Sequence, residues 1–518
     1  MSRSRLSTIN EPSLANQGRS RARSRVPGGD GDRPGKRLIL CEDGTWLNSD
    51  SGSLKGTLDI PSNITRLSRA IKSMSSDGIP QVVYYHYGVG AGSGVVDKLM
   101  GATGSGLAEI VREGCTSATY RQLIYHQFVA TNWVPGDELF IFGFSRGAFT
   151  ARAIAGLIGE IGVLTRDGLP FFPEIFRDVE NKHDDNYRPK HPDIPFPDKP
   201  SALDPRYVDE LRRKRFTHLD VPIKVVGVFD TVGSLGTPKI GWLQRLGLQS
   251  SAMKELSFYD TSLSNCIEYA FQALALDERR YSFQPTLWEK FEDNDTVLRQ
   301  VWFPGAHSNI GGGYEEQQVA TITLAWMMAQ CQPFLDFDVD YLLDEWEQVD
   351  EYYEKVKEKP RPWGFGEIFD GLTGIYALGG MKVRTPGRYC AVDPTNGKPT
   401  KDPLEDTMEY IHPVVRARLK LNGPGLHDRG RYECKALREW KLMIEAREDG
   451  GKGSDVFWRS RERPEEGFVR ILPEAPLKGL EMELLQYDPE TREDVMRPTG
   501  VRQRRSTRDK SRRASPDD

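Results

Sequence analysis

The sequence predicts an α/β protein with a mostly parallel β-sheet and helices on its faces. Short apolar runs typical of buried strands alternate with segments of helical periodicity, first over residues 37–158 and again from residue 223. A glycine-bounded serine turn at residues 143–147 joins one of these strands directly to a helix. Because parallel strands need crossover connections that are usually helical, this order of elements favours an α/β fold.

The first half of the chain has a regular β-α rhythm. A helix is predicted from about Ser62 because Ile64, Leu67 and Ile71 share the spacing of one helical face. Residues 81–87 alternate β-forming side chains and end in a glycine-rich run. The predicted elements are strand 37–41, the helix near 62, strand 81–87, a helix over about 109–130, strand 139–142 and a helix over 148–158.

The second half is less regular. We predict strand 223–230, a helix around 264–276, strand 298–303 and a helix over 321–330, with strands near 467–472 and 478–485. A polar, proline-rich excursion over 165–220 has little periodicity and is typical of a lid. The predicted organisation is a disordered basic tail (1–35), a catalytic core (36–335), an insertion and C-terminal part of the same domain (336–490) and a second disordered basic tail (491–518).

Composition indicates a protein of the cytoplasm. The 518 residues are 38% hydrophobic and contain no apolar stretch that approaches the roughly 20 residues of a membrane-spanning helix or the apolar region of a secretory signal. Six scattered cysteines without a C-x-x-C pair predict neither disulfides nor a zinc site. The net charge is −5 although both tails are basic. The tails are compatible with contact with an anionic membrane or with nuclear import, and nucleic-acid binding is not favoured.

Residues 139–152, LFIFGFSRGAFTAR, are the most informative segment. The spacing G-x-S-x-G between an apolar strand and a helix is that of the nucleophile elbow of α/β-hydrolases, with Ser145 at its apex. Gly143 and Gly147 fit this interpretation because a side chain at either position would strike the neighbouring strand or helix. The alternative is an ordinary serine in a glycine-bounded turn.

A serine nucleophile needs a base and a carboxylate, which in α/β-hydrolases follow it in the order acid, then histidine. Asp230 ends the strand KVVGVFD and His307 follows the strand LRQVWFP, so this order is present. Both lie where a parallel sheet opens its active-site edge. His412, in EYIHP, is the alternative base, and a turn-capping carboxylate is the alternative role for Asp230.

The segment after the first strand, CEDGTW, indicates a supporting role. Asp43 resembles the second aspartate of the phosphatase motif D-x-D-G-T, but Cys41 stands where that motif has its nucleophile. We therefore expect the amide of Gly44 or Thr45 to supply one oxyanion donor and that of Arg146 the other, with Asp43 bracing the loop. The glycine run 88–106 lacks the G-K-[ST] of a phosphate loop and is expected to border the site.

Several blocks together resemble one family: CEDGTW, GFSRGAFTARAIAGLIGEIGVL, GVFDTVGSLG, ALALDERRYSFQPTLW, VWFPGAHSNIGGGY and EYIHPVVR. They are similar to the first-class type VI lipase effector catalytic domain, over roughly 36–430. The resemblance implies a phospholipase- or esterase-type hydrolase with Ser145, Asp230 and His307 as its triad. Asn309 departs from the pattern, because the family's block often has an aspartate there.

The sequence thus predicts a serine hydrolase of carboxylic esters that uses neither a metal nor another cofactor. Its substrate is expected to be a lipid or another small ester. The alternative is a catalytically inactive hydrolase fold that serves as a binding or scaffold protein.

Overall fold

The computed structural model of the chain describes residues 35–44, 60–87, 123–232, 262–372, 380–392, 399–446, 454–496 and 498. Thr45, the glycine run 88–106, most of both tails and part of the predicted helix 109–130 lie outside the described residues. None of the helices in the part of the chain that is described is both long and apolar enough to cross a bilayer.

A seven-stranded sheet forms the centre of the molecule, and all of its neighbouring strands run parallel. The strands are β1 (Arg37–Glu42), β2 (Gln81–His86), β3 (Glu138–Phe144), β6 (Ile223–Phe229), β7 (Ile267–Ala275), β8 (Val297–Phe303) and β11 (Glu409–Ile411). Their order across the sheet is β11-β8-β7-β6-β3-β1-β2. The predicted α/β fold with a parallel sheet is therefore confirmed.

The strand order reverses direction beside β1. The chain first adds β2 on one side of β1 and then places β3 on the other side. Loops that leave the carboxyl ends of two such strands diverge to opposite faces, which opens a crevice between them. This crevice lies between the loop after β1 and the serine turn after β3.

Both faces of the sheet are covered, so its strands are apolar on both sides. On β3, Phe140 and Phe142 join one hydrophobic cluster, whereas Leu139 and Ile141 join another on the opposite face. This alternation is the two-residue period of a strand. Burial on both faces explains why the strands read as continuous apolar runs in the sequence.

Two groups of helices cover these faces. The helix after the serine turn packs on the Leu139 side together with the helix of residues 123–132, and two other helices pack on the Phe140 side. The helices are α1 (Asn63–Ala70), α2 (described over 123–132), α3 (Arg146–Ile161), α4 (Phe172–Glu180), α5 (Pro205–Arg213), α6 (His307–Gly311), α7 (Gln318–Cys331), α8 (Val339–Lys355), α9 (Pro413–Lys420), α10 (Gly479–Leu485) and α11 (Pro489–Met496). Helices α1 and α7 are the two that pack on the strands on the Phe140 side, and residues of α8, α9 and α10 join the same hydrophobic cluster.

Seven shorter strands form three small sheets. One pairs β4 (Val163–Leu164) with β5 (Thr217–His218), another pairs β9 (Cys390–Val392) with β10 (Pro399–Pro403), and the third contains β12 (Trp440–Ala446), β13 (Ser454–Ser460) and β14 (Ile471–Pro473). The third sheet and β11 both come from the region after residue 336, and β11 extends the central sheet itself.

The excursion 165–220 does not lie over the active-site edge of the sheet. Its helices α4 and α5 pack around Leu157 and Ile161 at the far end of α3, about 18 Å along the helix from its start. Asp178 organises this unit because its carboxylate accepts hydrogen bonds from Lys199 and from the hydroxyl of Tyr207. The predicted lid over the sheet is therefore wrong: burial of an apolar cluster takes this excursion to the opposite end of the helix.

Three other predictions need correction. The helix expected around 264–276 is strand β7, because its position between β6 and β8 buries both faces and outweighs the helical propensity of its Ala and Leu residues. The strand expected over 478–485 is helix α10, whose Leu480 and Leu484 complete the main core. Residues 491–496, expected in a disordered tail, belong to helix α11, at whose start the Asp488 carboxylate accepts hydrogen bonds from the amide and the hydroxyl of Thr491.

Candidate active site

Ser145 occupies the turn between β3 and α3. Its backbone angles are φ 59° and ψ −119°, in a region that a residue with a Cβ atom enters only at a cost of about 1–3 kcal/mol. The Ser145 amide donates to the carbonyl oxygen of Phe229 at 3.1 Å, which holds the turn against the end of β6. Such strain is maintained by the surrounding structure and is typical of a functional turn.

The two glycines of the turn have no room for a side chain. A Cβ atom on Gly143 would lie 2.5 Å from the carbonyl oxygen of Gly147, within the turn itself. A Cβ atom on Gly147 would lie 2.3 Å from the carbonyl oxygen of Glu42 and 2.6 Å from that of Asp43. The first turn of α3 therefore packs directly on the backbone that leaves β1.

His307 begins the short helix α6 after β8 and reaches the serine. Its Nε2 atom lies 2.8 Å from the Oγ atom of Ser145. The ring is held between Phe144, 4.8 Å away between centroids, and Phe283, which meets it edge-on at 4.9 Å. A Cβ atom on Gly311 would lie 2.0 Å from the Phe144 ring, so this glycine lets α6 approach close enough to place the histidine.

Asp230 completes a hydrogen-bonded row of three side chains, Ser145, His307 and Asp230, which is called the row below. It follows β6, is fully buried, and has its Oδ2 atom 2.6 Å from Nδ1 of His307. Its Oδ1 atom accepts the backbone N–H of Ala275 at 2.9 Å. The guanidinium of Arg384 also binds this carboxylate, with Nη1 2.5 Å from Oδ1 and Nη2 2.9 Å from Oδ2.

The electrostatics of the row favour a proton on one particular nitrogen. Burial acts to raise the pKa of Asp230, but the charge of Arg384 and the hydrogen bond from His307 hold that pKa well below its usual range. The ionised carboxylate can only accept hydrogen bonds, so Nδ1 of His307 carries the donated proton. Burial lowers the pKa of His307 despite the opposing effect of Asp230. The neutral ring thus presents the lone pair of Nε2 to the Ser145 hydroxyl.

Asp43 braces the loop after β1. It is buried, and its Oδ2 atom accepts hydrogen bonds from Ser62, Thr65 and Tyr85 at 2.6 to 3.0 Å. Burial raises the pKa of Asp43, although these hydrogen bonds oppose the shift. Its Oδ1 atom accepts the Gly44 amide at 2.6 Å, so in this structure that amide points at the carboxylate and not into the crevice.

Two other backbone amides are predicted oxyanion donors, those of Arg146 and Thr45, and the structure describes only the first of these residues. Arg146 is the first residue of α3, directly after Ser145, which is the position that supplies a backbone donor in α/β-hydrolases. Thr45 lies outside the described residues.

The alternative base, His412, serves another part of the fold. It is fully buried at the start of α9, where Nδ1 accepts the Val414 amide at 3.2 Å. Its Nε2 atom lies 2.8 Å from the carboxylate of Glu481 on α10. Both ring nitrogens are therefore engaged away from Ser145, and the geometry favours His307 as the partner of the serine.

Sequence reasoning missed the residues that hold the row in place. Arg384 gave no local signal, because its partner lies 154 positions earlier in the chain. Glu278 accepts the backbone N–H of His307 at 3.3 Å and is itself bound by Arg280 through two side-chain nitrogens. Glu278 lies in the block ALALDERRYSF, whose resemblance to the family was the signal in the sequence that could have pointed to it.

Asn309, which departs from the family pattern, has a structural role. Its Nδ2 atom donates to the carbonyl oxygen of Glu367 at 2.9 Å, and its Oδ1 atom accepts the amides of Ala306 and Phe369. An aspartate could not make the first of these bonds, because an ionised carboxylate only accepts. The asparagine therefore links the histidine loop to the segment after residue 366.

Comparisons with known proteins identify a family for part of the chain. The model of the T6SS phospholipase effector Tle1-like catalytic domain family matches residues 36–330, which is more than half of the sequence. An uncharacterised protein of Saccharomyces cerevisiae is 27% identical over 253 residues, which cover 48% of this chain and 32% of the yeast protein. This chain thus matches about a third of that relative's length.

Two solved structures are also similar. One is that of the Tle1 effector bound to the VgrG spike of the type 6 secretion system, with a TM-score of 0.32 and 15% identity over 72% of this chain and 90% of the other. The second is an uncharacterised protein from Pseudomonas aeruginosa, with a TM-score of 0.30 and 19% identity over 57% of this chain and 46% of the other.

Proposed function

Because the chain belongs to the family of T6SS phospholipase effector Tle1-like catalytic domains, we propose that it is a serine hydrolase that cleaves carboxylic esters. One observation carries the proposal. The hydroxyl of Ser145, the imidazole of His307 and the carboxylate of Asp230 form a continuous hydrogen-bonded row with contacts of 2.8 Å and 2.6 Å. A nucleophile, a base and an orienting carboxylate in this order are what acyl transfer requires.

In the proposed mechanism, His307 acts first as a base. Its Nε2 atom takes the proton of the Ser145 hydroxyl while the oxygen attacks the ester carbonyl. Asp230 stabilises the imidazolium that forms and keeps the ring in position. The imidazolium then gives its proton to the departing alcohol, which leaves an acyl group on Ser145. Water attacks this acyl-enzyme with His307 again as the base, and the carboxylic acid is released.

The oxyanion of each tetrahedral intermediate needs backbone donors. The amide of Arg146 is in the position to provide one of them. The Gly44 amide can provide the second only if it gives up its hydrogen bond to Asp43, which would require the loop after β1 to rearrange when a substrate binds. Thr45 is the other source that the sequence offers.

We propose a lipid ester as the substrate, because the family's name is that of phospholipases. The basic residues at both ends of the sequence would favour an anionic membrane surface by roughly 1 kcal/mol for each charge close to it. Removing residues 1–35 and 499–518 should therefore weaken binding to anionic vesicles but leave the hydrolysis of a soluble ester unchanged.

The experiment that tests this function is ester hydrolysis by a matched set of variants. Wild type should hydrolyse p-nitrophenyl esters or a phospholipid, and Ser145→Ala and His307→Ala should each lose at least about 10⁴-fold in kcat. His412→Ala is the control, because it removes an equally buried histidine outside the row. An inert wild type would favour the alternative of a non-catalytic binding protein, and equal losses in both histidine variants would argue against His307 as the base.

A further inference from the structure

Arg384 makes a buried, bidentate ion pair with Asp230. Its side chain has no exposed surface, and two of its nitrogens contact the two carboxylate oxygens at 2.5 Å and 2.9 Å. The planar guanidinium fits a carboxylate in this way and fixes the plane of the carboxylate as well as its charge. The Oδ2 atom of Asp230 is therefore shared between Arg384 and the ring of His307.

The guanidinium is itself held by the backbone on two sides. Nη1 donates to the carbonyl oxygen of Ala275 at the end of β7, at 2.8 Å. Nη2 donates to the carbonyl oxygen of Phe283 at 2.7 Å, and the Phe283 ring packs edge-on against His307. Arg384 thus connects the carboxylate, the end of a central strand and a wall of the histidine site. A lysine could not make all of these bonds, because its donors radiate from a single atom.

We propose that Arg384 is a positioning residue of the active site, which orients the Asp230 carboxylate and offsets its charge so that His307 stays neutral in the resting protein. The predicted effect of Arg384 on kcat and kcat/KM rests on the proposed hydrolase function. The predicted effect on the protonation of His307 does not. Arg384 lies beyond residue 330, where the match to the family model ends. The C-terminal region therefore contributes directly to the site.

The charges around His307 give the sign of the effect. The ring faces Asp230 at Nδ1, and its backbone amide contacts Glu278, which Arg280 binds in turn. With Arg384 present, two guanidinium groups balance these two carboxylates. Without Arg384 one negative charge is uncompensated, and the imidazolium form of His307 becomes the remaining partner for Asp230. The pKa of His307 should then rise.

The test compares Arg384→Met, which is neutral and similar in length, with Arg384→Lys, which keeps the charge. The control is Arg388→Met, four positions later. The Arg388 guanidinium is also held by backbone carbonyl oxygens and by a tryptophan ring, and these contacts lie apart from Asp230. Circular dichroism and thermal melting identify the variants that fold. In Arg384→Met the rising limb of kcat/KM against pH should move upward by about one pH unit or more. kcat should fall by about 100-fold, because the row is misplaced.

In Arg384→Lys the midpoint of the rising limb of kcat/KM against pH should stay within a few tenths of a pH unit of the wild-type value, and the loss of kcat should be smaller than in Arg384→Met. Arg388→Met should match wild type in both quantities. A second readout does not depend on activity. NMR titration of protein labelled with ¹⁵N-histidine, with the His307 signals assigned by their loss in His307→Gln, should show the same upward shift in Arg384→Met. Folded Arg384→Met with an unchanged His307 titration would overturn the inference even if wild type is an active hydrolase. An inactive wild type with the expected shift would overturn only the proposed function.

Discussion

The Nε2 atom of His307 lies 2.8 Å from the Oγ atom of Ser145, although the two residues are 162 positions apart in the chain. The contact is possible because β3 and β8 run parallel in one sheet and both end at the same edge. Asp230 reaches the same edge from β6, which lies next to β3. The sheet thus brings three distant loops together.

The strain at Ser145 should be measurable as stability. Ser145→Gly removes the Cβ atom from a backbone with φ 59°, whereas Ser145→Ala keeps it. The glycine variant should therefore have a free energy of unfolding about 1 kcal/mol or more above that of the alanine variant, measured by chemical denaturation. Both variants lack the hydroxyl and should be equally inactive. Glycine also loses more conformational entropy than alanine on folding, by roughly 0.5–1 kcal/mol, so equal stability would mean that the strain does not exceed this cost.

The activity should persist into mildly acidic solution. Burial lowers the pKa of His307 below its ordinary value of 6.5, and only the neutral ring can take the serine proton. As pH falls through this pKa the ring becomes charged and kcat/KM declines, so the midpoint of the rising limb should lie below 6.5. The measurement is kcat/KM for a neutral ester from pH 4 to 8. A midpoint above 6.5 would mean that the Asp230 charge outweighs burial.

Gly147→Ala should disrupt the elbow. The new Cβ atom would lie 2.3 Å from the Glu42 carbonyl oxygen, and a backbone atom of a central strand cannot move aside easily. We expect a loss of about 1–3 kcal/mol in the free energy of unfolding together with a large loss of activity. Gly159→Ala in the same helix is the comparison, because its nearest neighbour is the Ser264 side chain, which can change rotamer. A wild-type melting temperature for Gly147→Ala would contradict the packing of α3 on β1.

A buried carboxyl group near α7 should make stability depend on pH. Burial raises the pKa of Glu316 from 4.5 to about 7, although Tyr353 and the Gln318 amide donate to it. The folded state therefore binds a proton more tightly than the unfolded state. The stabilisation is fully present below pH 4.5 and is lost as pH rises through about 7.

Glu316→Gln keeps the shape and removes the charge. Relative to wild type at pH 8, its free energy of unfolding should be higher by about 3 kcal/mol, and the difference should shrink at pH 5. The neighbouring Glu315 is exposed, so Glu315→Gln is the matched control that removes a carboxylate from the surface. Urea unfolding of the three proteins at both pH values checks this, and parallel shifts in the two variants would contradict the assignment to Glu316.

The sequence carried enough local information to predict five of the seven strands of the central sheet and to single out the residues of the row. The turn at Ser145 has its own glycine signature, and Asp230 and His307 each follow a recognisable strand. Strand β7 was misjudged because its Ala and Leu residues favour a helix locally, while burial between two strands is a property of the whole sheet. Arg384 could not be found for a related reason: its role depends on a contact between distant segments.

The location of the excursion 165–220 also depends on contacts between distant segments of the chain. A polar, proline-rich segment indicates an irregular surface element but does not say where it packs. Its apolar residues form a cluster with Leu157 and Ile161, and this places it away from the serine. Which end of α3 it covers depends on side chains of both segments, and only the structure provides that information.

The central claim, that Ser145 is a nucleophile activated by His307, is tested most directly by covalent labelling with a fluorophosphonate probe. Tryptic mass spectrometry of the labelled protein should find the adduct on Ser145, and the labelling rate should fall by at least about 10³-fold in folded His307→Gln but remain unchanged in folded His412→Gln. Labelling of another residue, or equal labelling of wild type and His307→Gln, would contradict the claim.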